Sequence, residues 1–250
     1  MKNYSTNQER TEEYLDKFNR EKVLKLLVGN EKPVIFDVGA NDGSSIIEFK
    51  SWWPESTVHS FEPQEECWAK LEEQAAIYSD SVIVNKIGVG AEKSNGLTFY
   101  THNITTGQSG FHRINAKSSD SIRLKELGSS PNELSSYQAS LNHSRTVPLL
   151  TLGNYITEKK IEKVNMLKID TQGYEPEVLS GLGDQLAKID VVLTELMFYD
   201  FYERSLSFSD IEQYLLPAGF QLYDISHISK NPMNGRTDWV DVIYLNKSSN

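Results

Sequence analysis

Short runs of apolar residues with no polar alternation recur along the chain, separated by amphipathic segments of helix length. A strand buried on both faces of a parallel sheet has this pattern. The predicted strands cover residues 33–39, 57–62, 82–89, 164–170 and 189–195. The predicted helices cover residues 44–49, 65–78, 152–160, 175–186 and 209–216. This alternation with short connections predicts right-handed crossovers and a doubly wound, mostly parallel α/β sheet with helices on both faces.

The two ends of the chain depart from the alternation. Residues 10–29 have apolar positions at helical spacing and are followed by a glycine, so we expect a helical extension over residues 1–32. The main domain then covers residues 33–250. Residues 220–225 and 239–245 predict two final strands about 14 residues apart, a separation that suits an antiparallel hairpin better than a crossover helix.

A long segment of weak periodicity separates the two halves of the sheet. After an added strand at residues 97–100, residues 101–146 are rich in Ser, Thr, Asn and His. Loops of this length in compact domains are commonly lids or binding elements. We therefore expect a lid-like insertion at about 101–146, with a disordered surface loop as the alternative.

The amino-acid composition disfavours some classes of binding partner but does not indicate a reaction. The chain has 250 residues, 25 basic and 35 acidic side chains and a net charge of −10, with no stripe of Lys and Arg. Nucleic acid and anionic membranes are therefore poor partner candidates. No apolar run approaches the length of a membrane span, and the first ten residues resemble no secretion signal, so we expect a cytoplasmic protein. Cys67 is the only cysteine, which excludes an intrachain disulfide and indicates a small buried apolar residue.

The turn after the first strand has the composition of a nucleotide-binding turn. Residues 37–43 join a buried strand to a helix, and their glycines allow backbone N–H groups to approach a ligand. Glu62 ends the second strand, where a carboxylate can accept hydrogen bonds from a ribose diol. Asn41 replaces a glycine of the dinucleotide motif and Asp42 adds a negative charge, which disfavours a diphosphate. S-adenosylmethionine has a ribose, no phosphate and a cationic sulfonium, and it suits this acidic turn.

Several stretches resemble one known family. They are residues 36–43, 61–63, 151–152 and 167–175, together with Glu195. In order and spacing, above all in the K-I-D-x-x-G-x-E stretch, they resemble FkbM-type S-adenosylmethionine-dependent methyltransferases over roughly residues 33–245. The resemblance implies a Rossmann-like class I methyltransferase fold with a seven-stranded sheet, and O-methylation of hydroxyls on sugars, glycans or sugar-bearing metabolites. It also implies that the cofactor is held by Asp37, Gly39, Ala40, Asn41, Gly43, Glu62, Lys86, Ile87 and Gly88.

Methyl transfer to a sugar hydroxyl calls for a general base, because the neutral hydroxyl is a poor nucleophile. Asp170, at the end of the fourth predicted strand, is the first candidate, followed by Glu195 and Glu175. Asp170 and Glu195 could instead share a divalent cation, although we do not expect a metal. The candidates for acceptor binding are His112, Tyr174 and Tyr199. His112 is also an alternative base, and the aromatic group around Tyr199 either stacks on a sugar or packs in the core.

Two other classes of function remain open at this point. An NAD-dependent oxidoreductase can use the same sheet, but Asn41 and Asp42 disfavour it. A non-catalytic module that only binds the cofactor is the second alternative. The acceptor molecule, the hydroxyl that is methylated and the oligomeric state are not predicted by the sequence.

Overall fold

The computed structural model describes residues 6–102, 105–118 and 130–247. The helices are α1 (Asn7–Lys17), α2 (Arg20–Val28), α3 (Ser44–Trp52), α4 (Glu65–Ala76), α5 (Pro131–Ser140), α6 (Leu152–Glu158), α7 (Glu175–Ser180) and α8 (Phe208–Leu215). The strands are β1 (Val34–Val38), β2 (Thr57–Phe61), β3 (Val82–Asn85), β4 (Gly88–Val89), β5 (Ser94–Thr101), β6 (His143–Leu150), β7 (Val164–Ile169), β8 (Ile189–Met197), β9 (Phe220–Lys230) and β10 (Thr237–Asn246). Short 3₁₀ turns lie at Ser79–Ser81, Thr106–Gln108 and Gly183–Lys188.

Seven strands form the main sheet in the order β3-β2-β1-β7-β8-β10-β9. The first five are parallel to their neighbours, whereas β10 is antiparallel to both β8 and β9. The chain reverses its direction of strand addition between β1 and β7, which places a crevice at the carboxyl ends of these strands. The predicted seven-stranded, mostly parallel sheet with a C-terminal antiparallel hairpin is confirmed.

Helices cover both faces of the main sheet because alternate residues of its central strands point to opposite sides. Phe36 of β1 packs in one apolar cluster with α6, α7 and α8. Ile35, the preceding residue, packs in the other cluster with α2, α3 and α4. Strands that are apolar on both faces explain the continuous hydrophobic runs in the sequence.

A second, three-stranded sheet contains part of the predicted insertion. Its order is β4-β6-β5, so the segment predicted as a loop begins and ends in strands. The prediction of one strand over residues 82–89 is wrong, because the Ile87 N–H donates to the Asn85 carbonyl at 2.9 Å. That tight turn ends β3 and redirects the chain into β4 of the second sheet. Residues 103–104 and 119–129 of the predicted insertion lie outside the described residues.

Two predicted helices are each interrupted. The amino-terminal pattern forms α1 and α2, since Phe18 and Asn19 are extended and the Asn19 side chain caps α2 by accepting the Lys22 N–H at 2.9 Å. No residue of α1 is buried, so its apolar positions do not cover the core. The segment predicted as a helix to residue 186 leaves α-helical geometry after Ser180, and Gly183 adopts the left-handed φ of +51° as the first residue of a 3₁₀ turn.

Candidate active site

The turn between β1 and α3 lies against the carboxyl end of β7. The N–H groups of Gly39 and Ala40 donate to the Phe61 carbonyl at 3.0 and 3.2 Å. Gly39 has a φ of +80°, and a Cβ at this position would lie 1.8 Å from the Asp170 carbonyl oxygen. Backbone conformation and contact therefore both exclude a side chain at Gly39.

Glu62 follows β2 and holds this turn in place. Its Oε2 accepts the Asn41 N–H at 2.8 Å, and its Oε1 accepts the Gln64 N–H at 2.8 Å. The residue is only 6% exposed, and burial raises the pKa of Glu62 to about 7 although the two N–H donors act in the opposite direction. A carboxylate held in this way keeps lone pairs that can accept hydrogen bonds from a ligand.

A cleft of about 570 Å³, called the main cleft below, opens beside Glu62. Its lining comes from the carboxyl ends of β1 and β2, the turn after β3, the insertion and the residues after β7. Its lining combines apolar residues, among them Phe61, Ile87 and Phe111, with the polar residues Glu62 and Asp170. Its lining suits a ligand with a flat apolar part and a hydroxylated part.

Residues of the insertion form one wall of the main cleft. The Thr106 hydroxyl donates to Asn41 Oδ1 at 2.8 Å, so the insertion is tied to the turn after β1. The Tyr202 hydroxyl lies 3.0 Å from the Gln108 carbonyl oxygen and 2.7 Å from Gln172 Oε1. These contacts hold the Thr106–Gln108 turn over the sheet edge.

A more open groove, of about 1030 Å³, adjoins the main cleft on the α3 side of the turn and is called the adjoining groove below. It is lined by Gly39, Ala40, Asn41, Asp42, Ser44, Ser45, Glu48, Lys168 and Asp170. Gly43, the N-cap of α3, provides no side-chain cap for the helix. Gly39, Asn41 and Asp170 line both spaces, and we call their position the junction.

Lys168, which the sequence reasoning did not single out, contacts three acceptors at the junction. Its Nζ lies 3.3 Å from Asp37 Oδ1, 3.5 Å from Asp170 Oδ2 and 3.3 Å from the Gly39 carbonyl oxygen. Asp37 is fully buried, and its Oδ2 accepts the Ser45 hydroxyl at 2.5 Å. Burial disfavours the charged lysine, but the two carboxylates outweigh burial and raise the pKa of Lys168 above its ordinary value. The sequence feature that could have singled out Lys168 is its position as a charged residue within an otherwise mostly apolar strand.

The three carboxyls predicted to be catalytic occupy different environments. Asp170 is 37% exposed at the junction, and its Oδ1 accepts the Gln172 amide at 2.8 Å. Glu175 is 1% exposed, and its Oε1 accepts the N–H groups of Thr171 and Gly173 at 2.8 and 3.3 Å. Burial raises the pKa of Glu175 to about 7. Glu175 therefore shapes the turn after β7 and lines neither the main cleft nor the adjoining groove.

Glu195 is half-buried on β8 and also lines neither space. Burial, followed by the nearby carboxylates of Asp170 and Glu175, raises the pKa of Glu195 well above its ordinary value. Within residues 6–102, 105–118 and 130–247, no group of three or more His, Cys, Asp or Glu side chains is placed to hold a metal ion. The alternative of a cation shared by Asp170 and Glu195, which we do not expect, stays untested.

The residues predicted to bind the acceptor are not brought to the main cleft or the adjoining groove. The rings of His112 and Tyr174 lie 5.7 Å apart, and His112 Nε2 is 3.3 Å from the Arg204 guanidinium. Burial and the Arg204 charge lower the pKa of His112. Tyr199 packs 5.7 Å from the ring of Phe201, which is buried in a separate apolar cluster. This packing favours a role for the aromatic group in the apolar core over stacking on a sugar.

The predicted cofactor residues after β3 divide into two sets. Ile87 and Gly88 line the main cleft. Lys86 does not, because it pairs with Glu72 at 2.7 Å and lies over the Trp68 ring at 5.2 Å on the outer surface. Lys86 thus braces α4 against the chain after β3.

One feature of α6 bears on the oxidoreductase alternative. Tyr155 and Lys159 have the Tyr-x-x-x-Lys spacing that such an enzyme would use. The Tyr155 ring is buried against Phe36 and Phe61, and its hydroxyl lies 2.8 Å from His59 Nδ1. This tyrosine lines neither the main cleft nor the adjoining groove, so the structure offers no dehydrogenase-type pair there.

Comparison with known proteins identifies the family. The Methyltransferase FkbM domain matches residues 37–222. The 2-O-methyltransferase NoeI of Sinorhizobium fredii (strain NBRC 101917 / NGR234) is 27% identical over 193 residues, covering 77% of this chain and 74% of that protein. The 31-O-demethyl-FK506 methyltransferase FkbM of Streptomyces tacrolimicus is 31% identical over 157 residues, covering 60% of each.

Solved structures show the same architecture. The crystal structure of Methyltransferase FkbM from Methylobacillus flagellatus KT has a TM-score of 0.52 at 15% sequence identity, covering 94% of this chain and 50% of that chain. At this identity the likeness concerns the fold. No helix in the described part of the chain combines the length and the apolar character needed to cross a membrane. The fold, the turn after β1 and the extent of the sequence match show that this chain belongs to the FkbM methyltransferase family.

Proposed function

We propose that the chain is an S-adenosylmethionine-dependent O-methyltransferase whose acceptor is a hydroxyl of a sugar, glycan or sugar-bearing metabolite. One observation carries this proposal: Glu62 lies beside the main cleft, and the turn it holds separates that cleft from a second polar groove. A ligand with a nucleoside at one end and an amino acid at the other can occupy both spaces. The two relatives are named as a 2-O-methyltransferase and a 31-O-demethyl-FK506 methyltransferase, and these names support transfer to oxygen.

The residues present fit this donor. Glu62 would accept hydrogen bonds from the ribose diol, and the apolar side chains of Phe61 and Ile87 would pack on the adenine. The start of α3, where Asp42 Oδ1 accepts the Ser44 N–H at 3.1 Å, would present its other first-turn N–H groups to the carboxylate of the amino-acid end. Asp37 and Asp170 would supply negative charge near the ammonium and the sulfonium.

Asp170 is the residue that we propose as general base. S-adenosylmethionine, when bound, supplies a methyl group on a positively charged sulfur. Asp170 is exposed at the junction and oriented by Gln172 and Lys168, so it can accept the proton of an acceptor hydroxyl. Because the acceptor oxygen must lie roughly 3 Å from the methyl carbon, positioning supplies much of the rate.

The insertion is proposed to cover the bound donor. Its wall of the main cleft is attached to the Asn41 turn through Thr106. We propose that residues 33–250 form the methyltransferase domain, that residues 1–32 are an extension, and that the insertion acts as a lid. The net charge of −10 supports a small-molecule or glycan acceptor over nucleic acid.

Thermal unfolding tests the donor assignment. S-adenosylmethionine and S-adenosylhomocysteine, each at about 100 times its Kd, should stabilise the protein by roughly 2.7 kcal/mol, which raises Tm by several degrees. NADH should have no effect. Glu62→Gln should lose most of the shift, because an amide cannot accept both backbone N–H groups and the ribose hydroxyls.

The matched control is Glu72→Gln, which alters an exposed carboxyl outside the main cleft and should keep the full shift. Stabilisation by NADH alone would replace the donor assignment with the oxidoreductase alternative. If none of the three ligands raises the Tm of the wild type, the proposed function is refuted.

Donor binding is also expected to depend on pH through Glu62. The pKa of about 7 means that the carboxyl gains a proton as pH falls from 8 to 6, and the protonated group is a poorer acceptor for the ribose hydroxyls. Calorimetric titration with S-adenosylhomocysteine should therefore show an affinity that falls several-fold from pH 8 to pH 6. Glu62→Gln should bind weakly with no such dependence over this range, and an equal pH dependence in that variant would assign the effect to another group.

A further inference from the structure

Asp37, Lys168 and Asp170 form one charged unit at the junction, called the Asp37–Lys168–Asp170 triad below. Asp37 of β1 lies opposite Lys168 of β7 in the parallel register. Both side chains share the sheet face of Ile35 and Met166, which precede them by two residues in the same strands and pack toward α3. Asp170 follows β7, and its N–H donates to the Val38 carbonyl at 3.0 Å.

The lysine is surrounded by acceptors that belong to the protein. Its Nζ lies 3.3 Å from Asp37, 3.5 Å from Asp170 and 3.3 Å from the Gly39 carbonyl. The contact to the Gly39 carbonyl is a hydrogen bond, whereas the contacts to Asp37 and Asp170 are ion pairs. Lys168 lines the adjoining groove, and its ammonium lies within 3.5 Å of three protein oxygens. Two carboxylates and one ammonium give the triad a net charge of −1.

Other charged groups near the triad contribute less negative charge than their number suggests. The carboxyls that interact with it electrostatically are Glu48 of α3, Glu62 after β2, Glu175 of α7 and Glu195 of β8. Burial raises the pKa of all four, which favours their neutral forms. Asp241 of β10, which also interacts with Glu48 and Glu195, is paired with Arg20 of α2.

We propose that Lys168 is a positioning residue that holds Asp37 and Asp170 in place. The three charged groups of the triad, called the floor below, then have a net charge of −1. This charge favours binding of the cationic methyl donor over binding of its neutral product. This inference rests on the proposed function. S-adenosylmethionine has one carboxylate, one ammonium and one sulfonium and so a net charge of +1, whereas S-adenosylhomocysteine is neutral overall. Loss of the sulfonium charge on methyl transfer then weakens the attraction to the floor and favours release of the product.

The size of the expected effect follows from the charge change. One unit charge at about 6 Å, with an effective dielectric constant of about 20, corresponds to a tenfold or larger change in affinity. A change in the charge of the floor should alter the affinity for S-adenosylmethionine and leave that for S-adenosylhomocysteine nearly unchanged. The ratio of the two Kd values therefore separates a charge effect from a loss of shape, which weakens both ligands.

Calorimetric titration of both ligands into three variants tests this inference. Asp170→Asn brings the floor to zero charge and should lower the preference for S-adenosylmethionine about tenfold. Lys168→Arg keeps the charge and should keep the wild-type ratio at pH 6 and pH 8. Lys168→Met removes the ammonium and leaves two carboxylates, so the ratio should rise several-fold.

The outcomes separate this inference from the proposed function. If the wild type binds both ligands and Asp170→Asn weakens them equally, the charge inference is overturned while the donor assignment stands. If the wild type binds neither ligand, both the proposed function and this inference are overturned. Should Lys168→Met not unfold cooperatively, Asp170→Asn and Lys168→Arg decide the question, because they predict a changed and an unchanged ratio respectively.

Discussion

Gly39→Ala is expected to lower the free energy of unfolding by about 3–5 kcal/mol and to remove donor binding. A Cβ at this position would lie 1.8 Å from the carbonyl oxygen of Asp170 and 2.8 Å from its carbonyl carbon. Both atoms belong to the backbone, so no side-chain rotation relieves the overlap. The carboxyl ends of β1 and β7 must separate, which opens the junction that borders both the main cleft and the adjoining groove. Urea denaturation and titration with S-adenosylhomocysteine measure the two effects.

Gly235→Ala is the matched control. Gly235 has a φ of +75°, close to the +80° of Gly39, but no heavy atom lies within 4 Å of its Cβ position. The free energy of unfolding of this variant should fall by only about 1 kcal/mol, which is the cost of placing alanine in the left-handed conformation. The variant should bind the ligand normally. Equal destabilisation in the two variants would mean that conformation, and not contact with Asp170, makes glycine necessary at position 39.

Asp170→Asn is expected to lower the rate of methyl transfer by about 10²–10⁴-fold, because the amide cannot accept the hydroxyl proton. The asparagine keeps the size of the side chain and can still accept the Gln172 amide at the position of Oδ1. Binding of S-adenosylhomocysteine should therefore change little. The assay uses methyl-labelled S-adenosylmethionine with an acceptor found by screening glycans and glycosylated metabolites.

Asp184→Asn provides the control for this prediction. Asp184 is exposed in the 3₁₀ turn that precedes β8, at the opposite end of the parallel strands from Asp170. Its loss should leave turnover unchanged. If Asp170→Asn retains more than a third of wild-type turnover, the proton passes to another group, and Asp170 is not the base.

Sequence patterns predicted the main sheet because each strand of a doubly wound fold is buried on two faces. Continuous apolar runs such as those of β7 and β8 have few other structural interpretations. The single strand predicted over residues 82–89 was wrong because apolar runs do not show to which sheet a strand belongs. The backbone turn at Ile87 sends β4 to the second sheet, and it leaves no clear mark in the sequence.

The order of glycines and carboxylates indicated the turn after β1 and the position of Glu62, since both lie directly at strand ends and need no knowledge of distant contacts. The contacts of Lys168 and the overlap that excludes a side chain at Gly39 depend on β1 and β7, which are separated by more than 100 residues in the chain. Side-chain exposure also depends on the tertiary structure: the Asp170 side chain is 37% exposed, whereas Glu175, five residues later, is buried. Local patterns therefore reveal which residues end the strands, whereas the packing of distant strands sets which of those side chains meet, which are neutralised and which face a ligand.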